Sequence, residues 1–281
     1  MYKRQGYLAE LLILKYGTFL ECIKNASQWK PGMKIALKDS HLKKCKVESP
    51  LVFPDPTDPK RNVASALSLE QFARFVAACR AFLKKPSEDF FFGKKVRAAP
   101  KERIKKELQK RHIIAIEFPM KEHVPRDIIF GQLKRFKGFL TSELQKHDFR
   151  VFDVRFEEYG KNIYCFVELE ERILSEFVKL YGPPVFDEKN CEAFLAKHRK
   201  ALSGPRIEDE RLVIVERRKH RDAKEVLESL VSFLSMRGKD PLKSMLKKAR
   251  MLEEAQLLRK CTDAEFARIF TEFLKGKEKF L

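Results

Sequence analysis

The stretch LVFPDPTDPKRNVASALS, residues 51–68, decides how the first part of this chain is organised. It holds three prolines within six residues, at positions 54, 56 and 59. Because proline fixes φ and has no N–H to donate, we predict that this segment is neither an interior strand nor a helix. Two interpretations stay open from these residues: a rigid loop that presents polar groups to a ligand, or a stiff connector with exposed charges.

Helices are predicted on both sides of this loop. Upstream, GYLAELLILKYGTFLECIKNASQW (residues 6–29) spaces its apolar residues as a helix does, and a T-x-x-E capping box of Thr18 and Glu21 starts a second helix. Downstream, Ser68 and Gln71 form an S-x-x-Q box. The helix that follows carries a predicted buried stripe: Phe72, Phe75, Val76, Cys79, Phe82 and Leu83.

The rest of the chain alternates between helical and extended patterns. A helix, a strand, a long helix, a hairpin, a helix and a strand are predicted in that order, at residues 101–111, 113–118, 127–146, 151–169, 188–200 and 211–219. The order β-α-β-β-α-β predicts a ferredoxin-like antiparallel sheet with helices on one face. The remaining residues are predicted to be helical. We therefore expect an α+β protein with a helical domain at 1–97, a ferredoxin-like body at 98–221 and a helical tail at 222–281.

The charge of the chain points to a polyanionic partner. Lysine and arginine number 59 against 40 aspartates and glutamates, which gives a net charge of +19. Nucleic acid is the favoured partner, because such an excess is typical of polyanion binders. The longest apolar run is far shorter than the roughly 20 residues that a membrane span needs. The six cysteines form no C-x-x-C pair and no signal peptide is visible, so we expect reduced thiols in a cytoplasmic protein.

The residues by themselves reveal no catalytic group. The chain lacks G-x-S-x-G, the P-loop pattern and G-x-G-x-x-G. Asp55 and Asp58 are the one pair of carboxylates with some promise as metal ligands, but each precedes a proline, and turn formation explains them better. We assign no catalytic residue and no metal ligand, so the pattern predicts a polyanion binder without catalytic chemistry of its own.

A resemblance adds an activity to this prediction. The helix-loop-helix region already quoted, continued by FARFVAACRAFLKKPSEDFFF (72–92), closely resembles archaeal class I CCA-adding enzymes, which are tRNA nucleotidyltransferases. In that family, GYL-ELLI--YGSF and DP-D-KRNVA--LS lie in a helical central domain of the polymerase superfamily. The similarity continues weakly through KLYGPPVFDEKNCEAFLAKHR (179–199). The three predicted domains then correspond to the central, body and tail domains of that family.

The resemblance implies an incomplete enzyme. Family members begin with a catalytic head whose acidic residues hold Mg²⁺, and they add C, C and A to tRNA 3′ ends from CTP and ATP. None of the head's motifs occurs within these 281 residues, so the resemblance implies either a fragment or a head on a separate polypeptide. We expect the chain alone to be inactive. The alternatives are a standalone RNA-binding protein, a subunit of a split nucleotidyltransferase, and a basic structural protein of a ribonucleoprotein.

The resemblance also implies nucleotide-binding residues. In the family, the arginine of the Lys-Arg-Asn triplet reaches the incoming nucleotide and helps to select CTP or ATP, and that position is Arg61. Lys60, Asn62 and Tyr7 are further candidates for nucleotide binding. Each has a structural alternative: an ion pair for Arg61, a solvated side chain for Lys60, a turn or helix cap for Asn62, and packing between domains for Tyr7.

The expected RNA partner is the acceptor stem and T arm of tRNA. Because A-form helices hide their base edges, such proteins read backbone and shape through cationic side chains. The candidates are Lys197, Arg199, Arg217, Arg218, Lys219 and Arg221. The alternative for each is a solvated basic residue on the surface.

Overall fold

The structure, a computed structural model, describes residues 2–93 and 96–276. It divides into two units, one formed by the described residues up to Val96 together with Gly276, and the other by Arg97–Lys275. No helix in the described ranges is both long and apolar enough to cross a membrane. The predicted division into three domains, with a further boundary at residue 221, stays a prediction.

The first unit is mainly helical. It contains, in chain order, α1 (Tyr2–Tyr16), α2 (Phe19–Ala26), β1 (Met33–Lys34), β2 (Leu51–Val52), α3 (Leu69–Lys84) and α4 (Asp89–Phe92). The two short strands pair in parallel. The Thr18 hydroxyl caps α2 by accepting from the backbone N–H of Glu21, and Ser68 with Gln71 forms a complete capping box on α3. The capping box predicted at Ser68 is confirmed. At Thr18 only the hydroxyl half of the predicted box forms, because the Glu21 side chain accepts from Lys24 (2.7 Å).

The core of the first unit surrounds the only tryptophan of the chain. Trp29 is buried, and its ring stacks on Phe72 of α3 with the centroids 6.1 Å apart. Leu51 and Phe53, which lead into the proline-rich loop, are fully buried in the same cluster. The loop is therefore anchored at its start by apolar burial. Phe75, predicted as part of the buried stripe, is exposed, whereas Phe72, Val76 and Cys79 of the same stripe are buried.

The second unit combines helices with two antiparallel sheets. Its elements, in chain order, are α5 (Lys101–Lys110), β3 (His112–Pro119), α6 (Arg126–Lys146), β4 (Val151–Tyr159), β5 (Asn162–Leu169), β6 (Phe177–Pro184), α7 (Glu188–Lys197), β7 (Ser203–Glu208), β8 (Arg211–Arg217), α8 (Ala223–Arg237), α9 (Leu242–Leu246), β9 (Arg250–Leu252), α10 (Glu254–Lys260) and α11 (Ala264–Lys275). A four-stranded sheet has the order β4-β5-β3-β9, and a three-stranded sheet has the order β6-β8-β7. The predicted α+β class is thus confirmed.

Two details of the strand prediction were wrong. The last predicted strand forms as β8, but it lies in the three-stranded sheet, and the fourth position beside β3 is taken by β9 from the segment predicted to be helical. The strands β6 and β7 were missed because both contain glycine and proline. Both are edge strands, where the missing N–H of a proline is tolerated.

Helices cover both faces of the four-stranded sheet, not one. On β3, Ile114 and Ile116 face a core shared with α6, α8 and α9. Ile113 and Ala115 face a second core shared with α5, α10 and α11. Because β3 is buried on both faces, successive residues of the run IIAI are all apolar. A strand buried on one face only would alternate apolar and polar residues.

Candidate nucleotide-facing loop and basic residues

The proline-rich loop is closed by its own backbone. The N–H of Asp55 donates to the carbonyl of Arg61 (2.9 Å), and the N–H of Arg61 donates to the carbonyl of Asp58 (2.9 Å). At the base of the loop, Pro54 forms a β-bridge with Asn62. These contacts fix residues 54–62 as a compact turn, so the prediction that this segment is neither a helix nor an interior strand is confirmed.

The buried Asn62 side chain holds the two ends of this loop together. Its amide donates to the carbonyl of Leu51 (3.0 Å), and its oxygen accepts from the N–H groups of Phe53 (2.9 Å) and Ala64 (3.0 Å). The structure therefore uses Asn62 to shape the turn. Its predicted contact with a nucleotide stays a prediction.

A polar cluster surrounds the side chain of Asp55. The guanidinium Nη1 of Arg61 lies 3.7 Å from Oδ2 of Asp55, and the Arg61 side chain is 51% exposed while that of Asp55 is 5% exposed. The hydroxyl of Tyr7 in α1 lies 3.4 Å from Oδ1 of Asp55. The N–H and hydroxyl of Thr57 donate to the same oxygen at 3.0 and 2.8 Å. In this arrangement the buried Asp55 carboxylate lies beside the Arg61 guanidinium, which is half exposed to solvent.

The charges in this cluster support one another. The backbone N–H of Thr57 is the main cause that lowers the pKa of Asp55; burial opposes it, and the Thr57 hydroxyl, Arg61 and Tyr7 add to the lowering. Desolvation, followed by the nearby Asp55 carboxylate, raises the pKa of Tyr7. At neutral pH, Asp55 is therefore ionised and Tyr7 is a neutral hydroxyl that donates to it.

The structure brings together two of the four predicted nucleotide-binding residues, Tyr7 and Arg61, through a carboxylate that the prediction left out. Lys60 is exposed on the same loop, with its N–H donating to Asp58 Oδ1 (3.3 Å). Asp55 had been interpreted only as a turn former or weak metal ligand. The signal that was available is its spacing from Thr57, because an aspartate commonly accepts from the N–H two residues on.

The six predicted RNA-binding residues have different surroundings. Arg217 pairs with Glu176, Arg218 pairs with Asp148, and the Nε of Arg221 donates to the carbonyl of Leu174 (3.3 Å). The Arg218 side chain is only 15% exposed, so it is the least accessible of these three.

The other three candidates are solvent-facing. Lys197 ends α7, and Arg199 and Lys219 lie in connecting segments; all three are exposed. Among residues 2–93 and 96–276, no carboxylate forms an ion pair with any of them, so their charges are unneutralised. Their predicted contacts with RNA, like those of Arg217, Arg218 and Arg221, stay predictions.

Comparison with known proteins places the chain in a family. The model for "tRNA nucleotidyltransferase, second domain" matches residues 4–92, which gives the class of protein. The model for "CCA-adding enzyme, C-terminal domain" matches residues 109–254, more than half of the chain. The chain therefore belongs to the CCA-adding enzyme family, as the sequence resemblance indicated.

Individual relatives agree with this assignment. The chain is 37% identical over 259 residues to the CCA-adding enzyme of Methanosarcina mazei, covering 90% of this chain and 56% of that protein. It is 35% identical over 222 residues to that of Saccharolobus islandicus, covering 79% and 50%. It is 35% identical over 258 residues to that of Methanosarcina acetivorans, covering 90% and 56%. The chain thus spans about half the length of the curated relatives it matches.

Proposed function

We propose that this chain is the tRNA-binding and nucleotide-selecting part of a CCA-adding tRNA nucleotidyltransferase, which adds C, C and A to tRNA 3′ ends from CTP and ATP. Membership in the family supports the activity. The observation that carries the assignment to this part is Arg61, whose half-exposed guanidinium is held by a buried carboxylate on a closed loop. A cation displayed in this way is suited to a ligand that arrives from solvent.

Arg61 supplies a planar set of donors for the incoming nucleotide. A guanidinium offers five N–H groups in a fixed fork, which can donate to base carbonyl and ring-nitrogen acceptors or to phosphate oxygens. The closed loop lowers the entropy that binding costs, because its backbone is ordered before the nucleotide arrives. In this proposal Arg61 helps to distinguish CTP from ATP, and Lys60 adds positive charge beside it.

The exposed cations of the second unit are proposed to hold the tRNA. Lys197, Arg199 and Lys219 have no competing carboxylate among the described residues, so they are available to phosphates. Contacts of this kind recognise the backbone and shape of an A-form stem rather than its sequence. Arg217, Arg218 and Arg221 are proposed to play a lesser part, because their side chains already have protein partners.

The residues described do not fit the Mg²⁺ that such chemistry employs. Among them, no group of three or more histidines, cysteines, aspartates or glutamates is arranged to hold a metal ion. Asp55 is already engaged by Thr57, Tyr7 and Arg61. We therefore derive no step of the reaction through a metal held by this chain, and the proposal leaves metal binding and nucleotidyl transfer to a catalytic head.

Complementation tests the proposal. The purified chain would be mixed with, and in a second version fused at residue 4 to, the N-terminal part of the Methanosarcina mazei relative that this chain does not match. CTP, ATP and a tRNA trimmed at its 3′ end would be supplied. We expect extension to a CCA end only when both parts are present, and tighter binding of the chain to tRNA than to a random duplex RNA. A folded fusion that does not extend tRNA, or equal affinity for the two RNAs, would overturn the proposal.

A further inference from the structure

Asp55 divides its two carboxylate oxygens between different partners. Oδ1 accepts from the Thr57 N–H and hydroxyl and lies within reach of the Tyr7 hydroxyl. Oδ2 is the oxygen that faces Arg61, at 3.7 Å. The loop and α1 thus hold the carboxylate group by one oxygen, so that its other oxygen stays directed toward the guanidinium.

We propose that Asp55 is a positioning residue, which orients the Arg61 guanidinium for nucleotide selection without contacting the nucleotide. Tyr7 and Thr57 fix the carboxylate in turn. This inference rests on the proposed function of Arg61. It also gives Tyr7 an indirect part in selection, through Asp55 instead of through the nucleotide.

The geometry favours orientation over stabilisation as the role of this pair. At 3.7 Å the contact is longer than a hydrogen bond between charged groups, so it restrains the guanidinium without using its N–H donors. Ion pairs with one exposed partner contribute little to folding stability. A buried carboxylate that is itself immobilised is nevertheless an effective guide for a long, flexible side chain, because its negative charge has a fixed place.

Asp58 offers a matched control in the same loop. Like Asp55 it precedes a proline, but it is exposed, and its side chain accepts only from the Lys60 N–H (3.3 Å) among the described contacts. The change Asp55→Asn keeps an oxygen for Thr57 and replaces the oxygen facing Arg61 with an amide donor. Asparagine also suits the turn as well as aspartate does, so the loop should keep its fold.

A double-mutant cycle in the fusion enzyme would measure this coupling. Arg61→Ala should lower kcat/KM for nucleotide incorporation while sparing tRNA affinity. Asp55→Asn should change the ratio of kcat/KM for CTP to that for ATP by about tenfold, a size typical of coupling between contacting residues. Asp58→Asn should leave the ratio within about twofold, as expected for a residue outside the coupled pair. In the Arg61→Ala background, Asp55→Asn should have no further effect on the ratio.

The outcomes separate this inference from the function on which it rests. If Arg61→Ala leaves incorporation unchanged, the proposed role of Arg61 fails. Suppose instead that Arg61→Ala impairs incorporation. The positioning role alone is then overturned if Asp55→Asn changes the CTP-to-ATP ratio no more than Asp58→Asn does, or changes it equally with and without Arg61. A merely structural Asp55 would lower activity in both backgrounds without changing the selection ratio.

A measurement on the unfused chain makes the test independent of catalysis. The rate at which p-hydroxyphenylglyoxal modifies Arg61 would be followed by mass spectrometry of its peptide in the full 281-residue chain. We expect Asp55→Asn to accelerate modification relative to Asp58→Asn, because the guanidinium loses its restraint. Equal rates in the two variants would contradict the inference.

Discussion

At the scale of single residues, the chemistry of the loop depends on where charge is buried and where it is displayed. Asp55 is enclosed and its partner Arg61 is half exposed. Folding therefore keeps the anion in place and leaves the cation free to meet a ligand. Arg61 could be selected from sequence only through the resemblance, because Lys-Arg-Asn has no special chemistry by itself. Asp55 could be recognised from its spacing to Thr57 as a turn former, but its contact with Tyr7 could not be predicted, since Tyr7 lies 48 residues away and only the fold brings it near.

The lowered pKa of Asp55 predicts a defined pH dependence. Since its folded pKa lies below the ordinary aspartate value of about 3.9, ionised Asp55 stabilises the native state fully above that value, and this contribution is lost as the pH falls through the lowered pKa. The difference in unfolding free energy between the wild type and Asp55→Asn should therefore shrink in acid. Denaturant unfolding followed by Trp29 fluorescence would report it, because Trp29 lies in the core of the same unit.

Thr57→Val offers a control for this measurement. It removes the hydroxyl donor while the backbone donor remains. The pH at which the stabilising contribution of Asp55 is half lost should therefore move toward the ordinary aspartate range. A difference in unfolding free energy that stays constant down to about pH 2, well below the ordinary aspartate pKa, would contradict the assigned environment of Asp55.

At the scale of elements, the sequence predicted those helices and strands whose formation depends on interactions between residues close together in the chain. The capping box of Ser68 and Gln71 and the apolar run of β3 were both interpreted correctly from sequence. The strand β9 was missed because its three residues have no strand pattern of their own and are extended only through pairing with β3. Likewise, β7 was not predicted, because the missing N–H of Pro205 is tolerated only in an edge strand, and the edge position depends on the whole sheet.

A polar junction between elements gives a stability prediction. Burial opposes ionisation of Glu117 in β3, but hydrogen bonds from Lys260, Tyr164 and Asn162 outweigh it and lower its pKa. Lys260→Met would remove the cationic donor and leave a largely buried carboxylate. We expect a loss of about 2 kcal/mol in unfolding free energy at pH 7, measured by urea denaturation with circular dichroism. Lys247→Met, at an exposed lysine, should cost far less.

The sign of the pH dependence checks this junction separately. Because the folded pKa of Glu117 is lowered, its stabilising contribution is present above the ordinary glutamate range and is lost in acid. The penalty of Lys260→Met should accordingly decrease as Glu117 becomes protonated. An equal penalty at pH 7 and in acid would show that Lys260 acts by packing alone.

At the scale of the whole molecule, the net charge of +19 is divided between cations with carboxylate partners and cations without them. The total net charge, read from the sequence, predicted a polyanionic partner. It could not tell Lys197, Arg199 and Lys219 from Arg218, whose side chain the fold buries against Asp148. That distinction depends on contacts between residues far apart in the chain.

Salt titration of tRNA binding would test which cations matter. Replacing Lys197, Arg199 and Lys219 together with alanine should reduce the slope of log K against log salt by about 2–3, because each phosphate contact contributes nearly one. A control triple variant at Arg74, Arg150 and Lys161, whose cations pair with glutamates, should change the slope much less. Equal slopes in the two triple variants would remove these three residues from the proposed tRNA contact.

The pairing of β9 with β3 has a consequence for biosynthesis. Until residues 250–275 have left the ribosome, β3 lacks its outer neighbour, and the sheet face that carries Ile113 and Phe166 lacks α10 and α11. A nascent chain therefore displays an incomplete sheet with one uncovered apolar face from the synthesis of β5 until that of α11. Chaperone capture should be strongest in that interval and should end once the closing segment arrives.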